Sequence, residues 1–339
     1  LGIIMSFINL EKPFIIAEAG VNHNGDINKA YELIDIALES KADAVKFQTF
    51  RAHEITSEFV ENTDYINKST SQSNLSLIRN LELKFSDFRL LKNYAEKKGI
   101  IFISTPDGEE SLNFLCDDLD VTMIKVGSTE VTNLEYLKKI SEKNKSIIFS
   151  TGMSNINEIK HGYNILKSNK NEVCVLHCTS EYPAPDNEIN LNAMLTIKNE
   201  LNCSVGFSDH SLGNEAAIIA VSMGADIIEK HFTIDKNLEG PDHKASLDPG
   251  ELKKFVNSLK RAQNMLGDGV KRPTATEIRN MGNIRRGIVM AKDTKKGIII
   301  EKKHLDFKRP FVGINPSDTS LIIGRRLKLD LKKDQPILW

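Results

Sequence analysis

The chain has 339 residues, with 45 Lys and Arg against 46 Asp and Glu, so its formal net charge is −1. That balance gives no electrostatic footprint for nucleic acid or an anionic membrane surface, and no apolar run is long enough to cross a bilayer. With 40% hydrophobic residues, a chain of this length can bury a large core, in one big domain plus a small one.

The opening Leu1-Gly2-Ile3-Ile4-Met5-Ser6-Phe7-Ile8 is apolar but short. It has neither a basic leader nor a small-residue cleavage site, so a cytoplasmic location is the expectation. Cys116, Cys174, Cys178 and Cys203 form no CxxC pair, and in a chain this rich in core residues they are expected to be reduced and mostly buried.

Short apolar runs rich in β-branched residues follow at 14–20, 44–50, 100–106, 122–129, 146–153, 172–180, 204–210 and 225–233. They have the character of strands buried on both faces. Helical patterns separate them, as at 31–37, 88–95, 216–223 and 251–265. Thr132-Asn133-Leu134-Glu135 has capping-box spacing and predicts a helix start just after the fourth run. Eight alternating units over about 250 residues predict a (β/α)8 TIM barrel. A doubly wound open sheet gives the same local pattern, but no GxGxxG follows the first run. The long polar stretch 51–81 then becomes a loop over the active-site face.

The pattern changes after Gly267-Asp268-Gly269. The expected organisation is a catalytic barrel over 1–268, a polar, helix-like linker over 269–283, and a small β-rich module over 284–339. The β-type runs of that module are 286–290, 297–300 and 322–331, separated by Lys-rich turns.

Barrel active sites lie at the C-terminal ends of the strands. Polar residues gather there: Glu18, Lys46, Gln48, Thr105, Lys125, Ser128, Glu130, Ser150, Tyr182, Ser208, His210, Glu229 and His231. A lysine within an apolar strand requires an anion, which is either a structural carboxylate partner or a bound phosphate or carboxylate ligand. His210 and His231 close two consecutive runs and emerge at the same end of the sheet. They are a pair of structural histidines or two metal ligands side by side.

These residues lie in motifs that together resemble the sialic acid synthases. The matching segments include Ala17-Glu18-Ala19-Gly20-Val21-Asn22-His23-Asn24-Gly25, Val45-Lys46-Phe47-Gln48-Thr49-Phe50, Ser104-Thr105-Pro106, Gly206-Phe207-Ser208-Asp209-His210, Glu229-Lys230-His231-Phe232-Thr233 and Gly240-Pro241-Asp242-His243. Lys308-Arg309-Pro310 sits in a stretch similar to the antifreeze-like (SAF) module of that family. The resemblance implies a synthase that condenses phosphoenolpyruvate with an N-acylated mannosamine-type sugar. His210 and His231 would hold a divalent metal, typically Mn2+, with Mg2+ or Co2+ as alternatives. Lys46, Thr105, Lys125, Ser128, Ser150 and Ser208 would hold phosphoenolpyruvate. Gln48, Tyr182 and Asp242 would contact the sugar, and Glu18 and Glu130 would be the carboxylates near the reacting atoms. Arg309 would bind the sugar's acyl group in the partner's barrel, which implies a homodimer with each SAF module capping the other subunit.

The chain departs from the pattern at Thr129, where Gly is usual, and at Asp107, where Phe is usual. Phe311-Val312-Gly313 replaces Gly-Asn-Gly, and Ser180 stands where some members have Asn. Two further readings remain: another phosphoenolpyruvate-dependent 3-deoxy sugar acid synthase, and a carbohydrate-binding barrel without catalysis. The acceptor is N-acetylmannosamine or 2,4-diacetamido-2,4,6-trideoxymannose, giving N-acetylneuraminate or N,N'-diacetyllegionaminate.

Overall fold

A computed structural model describes residues 12–56 and 74–338. The opening eight residues and most of the 51–81 stretch lie outside the described residues. Eight parallel strands close into a barrel in sequence order. They are β1 (Phe14–Gly20), β2 (Ala44–Phe50), β3 (Ile101–Asp107), β4 (Met123–Val126), β5 (Ser146–Ser150), β6 (Val173–Cys178), β7 (Ser204–Asp209) and β8 (Ile227–His231). β8 pairs with β1, with Glu18 in register with His231, and this closes the ring.

Local chemistry sets the surrounding helices. The Asp26 carboxylate accepts from Asn28 N–H at 2.8 Å and starts helix Ile27–Glu39. Helix Phe85–Lys98 stops at Gly99, whose φ of 86° an L side chain resists. Asp248 and Glu251 form a reciprocal capping box on helix Pro249–Leu266, with Pro at its first position. After β4 the expected cap moves by one residue. Asn133, not Thr132, accepts from Tyr136 N–H and starts helix Leu134–Ser141. β4 is also shorter than its apolar run, because Ser128–Glu130 turns into a 3-10 helix.

Side chains alternate across each strand, and that alternation divides the core into two layers. Facing outward, residues such as Phe47, Phe149, Phe207 and Ile228 pack against the helices. Facing inward at the N-terminal end are Phe14, Ile16, Ala44, Ile103, Met123, Ile148, Leu176 and Ile227, which form a dry floor. Gly206 sits in this crowded interior. A methyl group there would come within 2.3 Å of the Ile227 carbonyl oxygen and 2.6 Å of Leu176 Cδ2. Gly206→Ala is therefore expected to destabilise the barrel by about 1–3 kcal/mol through overpacking, read as a lowered urea midpoint.

The chain divides after Gly267 into two compact units, with the second spanning Asp268–Trp339. Within the second unit, helix Ala275–Ile284 precedes β9 (Gly287–Met290) and its antiparallel partner β10 (Leu305–Lys308). β10 falls between the expected runs. The runs at 297–300 and 322–331 form isolated bridges rather than strands. Their apolar residues do not alternate in one sheet. Single side chains, among them Ile300, Ile322 and Leu327, instead plug a small core with Ile288, Met290, Ile314 and Ile337. No helix among the described residues is long and apolar enough to cross a membrane.

Candidate active site at the C-terminal mouth of the barrel

Continuing each inward row by two residues toward the strand's C-terminal end replaces apolar side chains with polar ones. Ile16 gives way to Glu18, Ala44 to Lys46, Met123 to Lys125, Ile148 to Ser150, Gly206 to Ser208, and Ile227 to Glu229. Above this layer opens a cavity of about 920 Å³. Glu18, Lys46, Gln48, Thr105, Lys125, Ser128, Glu130, Ser150, Tyr182, Ser208, His210 and His231 all line it. Asp242 is not among the lining residues, but its Oδ2 lies 4.0 Å from His231 Nδ1. Arg309 belongs to the second unit.

The deepest layer is a chain of buried charges. Lys46 Nζ lies 2.9 Å from Glu18 Oε1 and 3.7 Å from Glu229 Oε2, while Lys125 Nζ lies 2.8 Å from Glu229 Oε1. Lys46 also donates to Thr105 Oγ1 at 3.2 Å, and Ser208 Oγ donates to Glu229 Oε1 at 3.1 Å. Both lysines therefore already have carboxylate partners. Glu229, at the strand-eight end but outside the sequence-derived set of ligand-contacting residues, ties them together.

The two carboxyls titrate apart. Burial pushes Glu18 up to about 7 against the pull of Lys46. Burial also acts to raise Glu229, but Lys125 and Lys46 outweigh it and hold that carboxyl low. Burial lowers Lys125, whereas Lys46 is raised, because two carboxylates outweigh the burial it shares. Glu18 Oε2 and Ser150 Oγ are buried without a hydrogen-bond partner, so both remain open to a ligand.

His210 and His231 face each other across 5.8 Å between ring centroids, with the Tyr182 ring 4.2 Å and 5.6 Å away. His210 Nδ1 lies 2.6 Å from the Thr179 carbonyl oxygen. That contact assigns the proton to Nδ1 and leaves Nε2 as the acceptor side of the ring, with Ser208 Oγ 3.2 Å from it. His231 Nδ1 is buried without a hydrogen-bond partner. Burial lowers His210 to about 4, and burial with the neighbouring His210 lowers His231 as well. Two neutral imidazoles, His231 with an unpartnered Nδ1 and His210 with Nε2 met by a serine hydroxyl, are the donor set a divalent transition metal takes. No cluster of three or more His, Cys, Asp or Glu residues suited to a metal occurs among the described residues. Further coordination positions would thus fall to water or substrate oxygens.

The opposite wall differs. Ser128 Oγ accepts from Gly152 N–H at 2.9 Å, and Glu130 accepts from Asn133 at 2.7 Å. Asp107 ends β3 on this wall, and burial, then the Glu130 charge, pushes its carboxyl up to about 7. Strand parity also excludes some polar residues from the site. His177 faces outward, stacks on Phe207 and contacts the Ile189 carbonyl. Asp209 pairs with Lys230 at 2.9 Å in the same outer layer.

Comparison with known proteins gives the same outline. The NeuB family model matches residues 33–271, and the SAF domain model matches 285–339. The N,N'-diacetyllegionaminic acid synthase of Campylobacter jejuni (subsp. jejuni, serotype O:2) is 44% identical over 333 residues, covering 97% of this chain and 99% of that protein. Human N-acetylneuraminate-9-phosphate synthase is 32% identical, covering 96% of this chain and 91% of its own length. The crystal structure of N-acetylneuraminic acid (sialic acid) synthetase from Leptospira borgpetersenii, in complex with citrate, superposes with a TM-score of 0.71 at 36% identity. That match covers 80% of this chain and 90% of the other.

Proposed function

Because the chain belongs to the NeuB family and carries a SAF domain, we propose that it is a transferase forming a carbon–carbon bond between phosphoenolpyruvate and an N-acylated mannosamine-type sugar. The products are a nonulosonic acid and inorganic phosphate. The observation that carries this reading is the convergence of two buried lysines, the open Ser150 hydroxyl and two neutral histidines in one cavity at the mouth of the barrel.

Phosphoenolpyruvate takes the deep layer. Lys46 and Lys125 face its negative charge, and Thr105, Ser128, Ser150 and Ser208 hydrogen-bond its oxygens. Gln48, Tyr182 and Asp242 hold the sugar so that its aldehyde carbon meets C3 of phosphoenolpyruvate. His210 and His231 fit a divalent ion, with Mn2+ as the proposed metal, and such an ion supplies Lewis acidity toward the aldehyde oxygen. The new bond forms between C3 and the aldehyde carbon, and water adds at C2. Cleavage of the C2–O bond then releases phosphate. Glu18 is the better placed carboxyl to take the water's proton, since it is buried, has an open oxygen and titrates near neutrality. Glu130, anchored by Asn133, lies on the wall beside the acceptor.

The C-terminal module carries 17 Lys and Arg against 8 Asp and Glu over 268–339, which leaves the barrel acidic. Opposite charges suit docking of one on the other. They support a homodimer in which each module caps its partner's barrel and Arg309 meets the sugar's acyl group.

A phosphate-release assay with phosphoenolpyruvate and a panel of sugars is the test. Release is expected with N-acetylmannosamine or 2,4-diacetamido-2,4,6-trideoxymannose. Release only with unacylated aldoses or their phosphates would assign a 3-deoxy sugar acid synthase instead, and none with any sugar would leave a binding protein.

A further inference from the structure

The cavity wall formed by β2, β3 and the short helix Ala52–Ile55 is unlike the lysine floor. Asp107 lies two residues beyond Thr105 on the inward row of β3, and its strand is pinned on both sides. Tyr136 Oη donates to the Pro106 carbonyl at 2.8 Å and to the Gly108 carbonyl at 2.9 Å. The Asp107 carboxyl lines the cavity, and no hydrogen bond or ion pair to another described side chain satisfies it. Asp107 is half-buried, whereas Glu54 Oε2, on the same wall, is buried and without a partner, and Glu54 Oε1 accepts from Glu110 N–H at 3.0 Å. A ligand that covers these carboxyls displaces the water that solvates Asp107 and must supply a hydrogen-bond donor in its place. Phe50, Ile55, Ile78 and Leu81 add apolar surface to the cavity lining, which elsewhere carries Glu109, Glu135 and Lys139.

A hydroxyl would satisfy the carboxyls alone. An acylamino group satisfies both halves, with its N–H on a carboxyl and its methyl on the apolar side chains. Resting on the synthase reading above, we infer that Asp107 is a specificity residue that reads a second acylamino group on the acceptor sugar, the one absent from N-acetylmannosamine. The substrate class is then a 2-acetamido sugar carrying another acylamino substituent.

The experiment measures kcat/KM for 2,4-diacetamido-2,4,6-trideoxymannose and for N-acetylmannosamine, and takes their ratio. Wild type is expected to favour the diacetamido sugar. Asp107→Ala is expected to lower the ratio by about tenfold or more, the scale of a lost hydrogen bond to a charged or buried acceptor. Asp107→Asn keeps an acceptor oxygen and is expected to restore most of the ratio. A ratio unchanged in Asp107→Ala, or an equal fall for both sugars, overturns the assignment while leaving the synthase reading intact. Wild type that releases phosphate with neither sugar overturns both.

Discussion

Replacing His231 with Ala is expected to lower phosphate release by roughly a thousandfold or more, the scale of several kcal/mol of lost charge stabilisation. His231 ends β8, its Nδ1 is buried without a partner, and its ring faces His210. Removing it leaves one imidazole where two converge. A single histidine, with carboxylates already engaged by lysines, makes a poor site for a transition metal. A second readout separates this cause from misfolding. Titrating Mn2+ into metal-stripped wild type should raise its thermal midpoint, as any ligand of the folded state does, and the variant should show no such rise. Full turnover in stripped His231→Ala would remove the metal from the proposal altogether.

The second large effect concerns the buried charges beneath that pair. Glu229→Leu leaves Lys46 and Lys125 sharing the one remaining carboxylate of Glu18 in a layer almost closed to water. Breaking a buried ion pair from one side typically costs about 3–5 kcal/mol. In a domain of this size that corresponds to a fall in Tm of roughly 10 °C. Pairing it with Lys125→Met restores one charge of each sign and exchanges the other two for apolar bulk. The double variant is expected to recover most of the stability and none of the activity. That split would separate the role of the lysine in holding substrate from its role in holding the barrel. A loss below about 1 kcal/mol in the single variant would mean that water reaches and solvates this layer.

Much of this arrangement is legible in the sequence through strand parity alone. Ile227, Glu229 and His231 alternate with Ile228 and Lys230, so an inward His231 carries Glu229 inward with it. That spacing marks Glu229 for the cavity, although the resemblance to a family gives it no substrate contact. The same rule places Asp107 with Thr105 and sends His177 and Asp209 to the helix layer. Three features are not readable from spacing. The early end of β4 depends on Ser128–Glu130 turning into a 3-10 helix, which propensity does not distinguish from strand. The pairing of Lys125 with Glu229 joins residues 104 positions apart, and only barrel closure brings them together. In the C-terminal module, apolar runs with few residues per turn of chain read as strands but act as separate plugs in a small core.

The apolar floor inside the barrel closes the cavity from below, so among the described residues it opens toward the C-terminal mouth. Whatever binds against the lysines lies beneath whatever binds beside the histidine pair and the far wall. On the proposed assignment the order of binding follows from depth: the enol phosphate is expected to enter before the sugar closes the way above it. The new sugar acid is likewise expected to leave before the phosphate released below it.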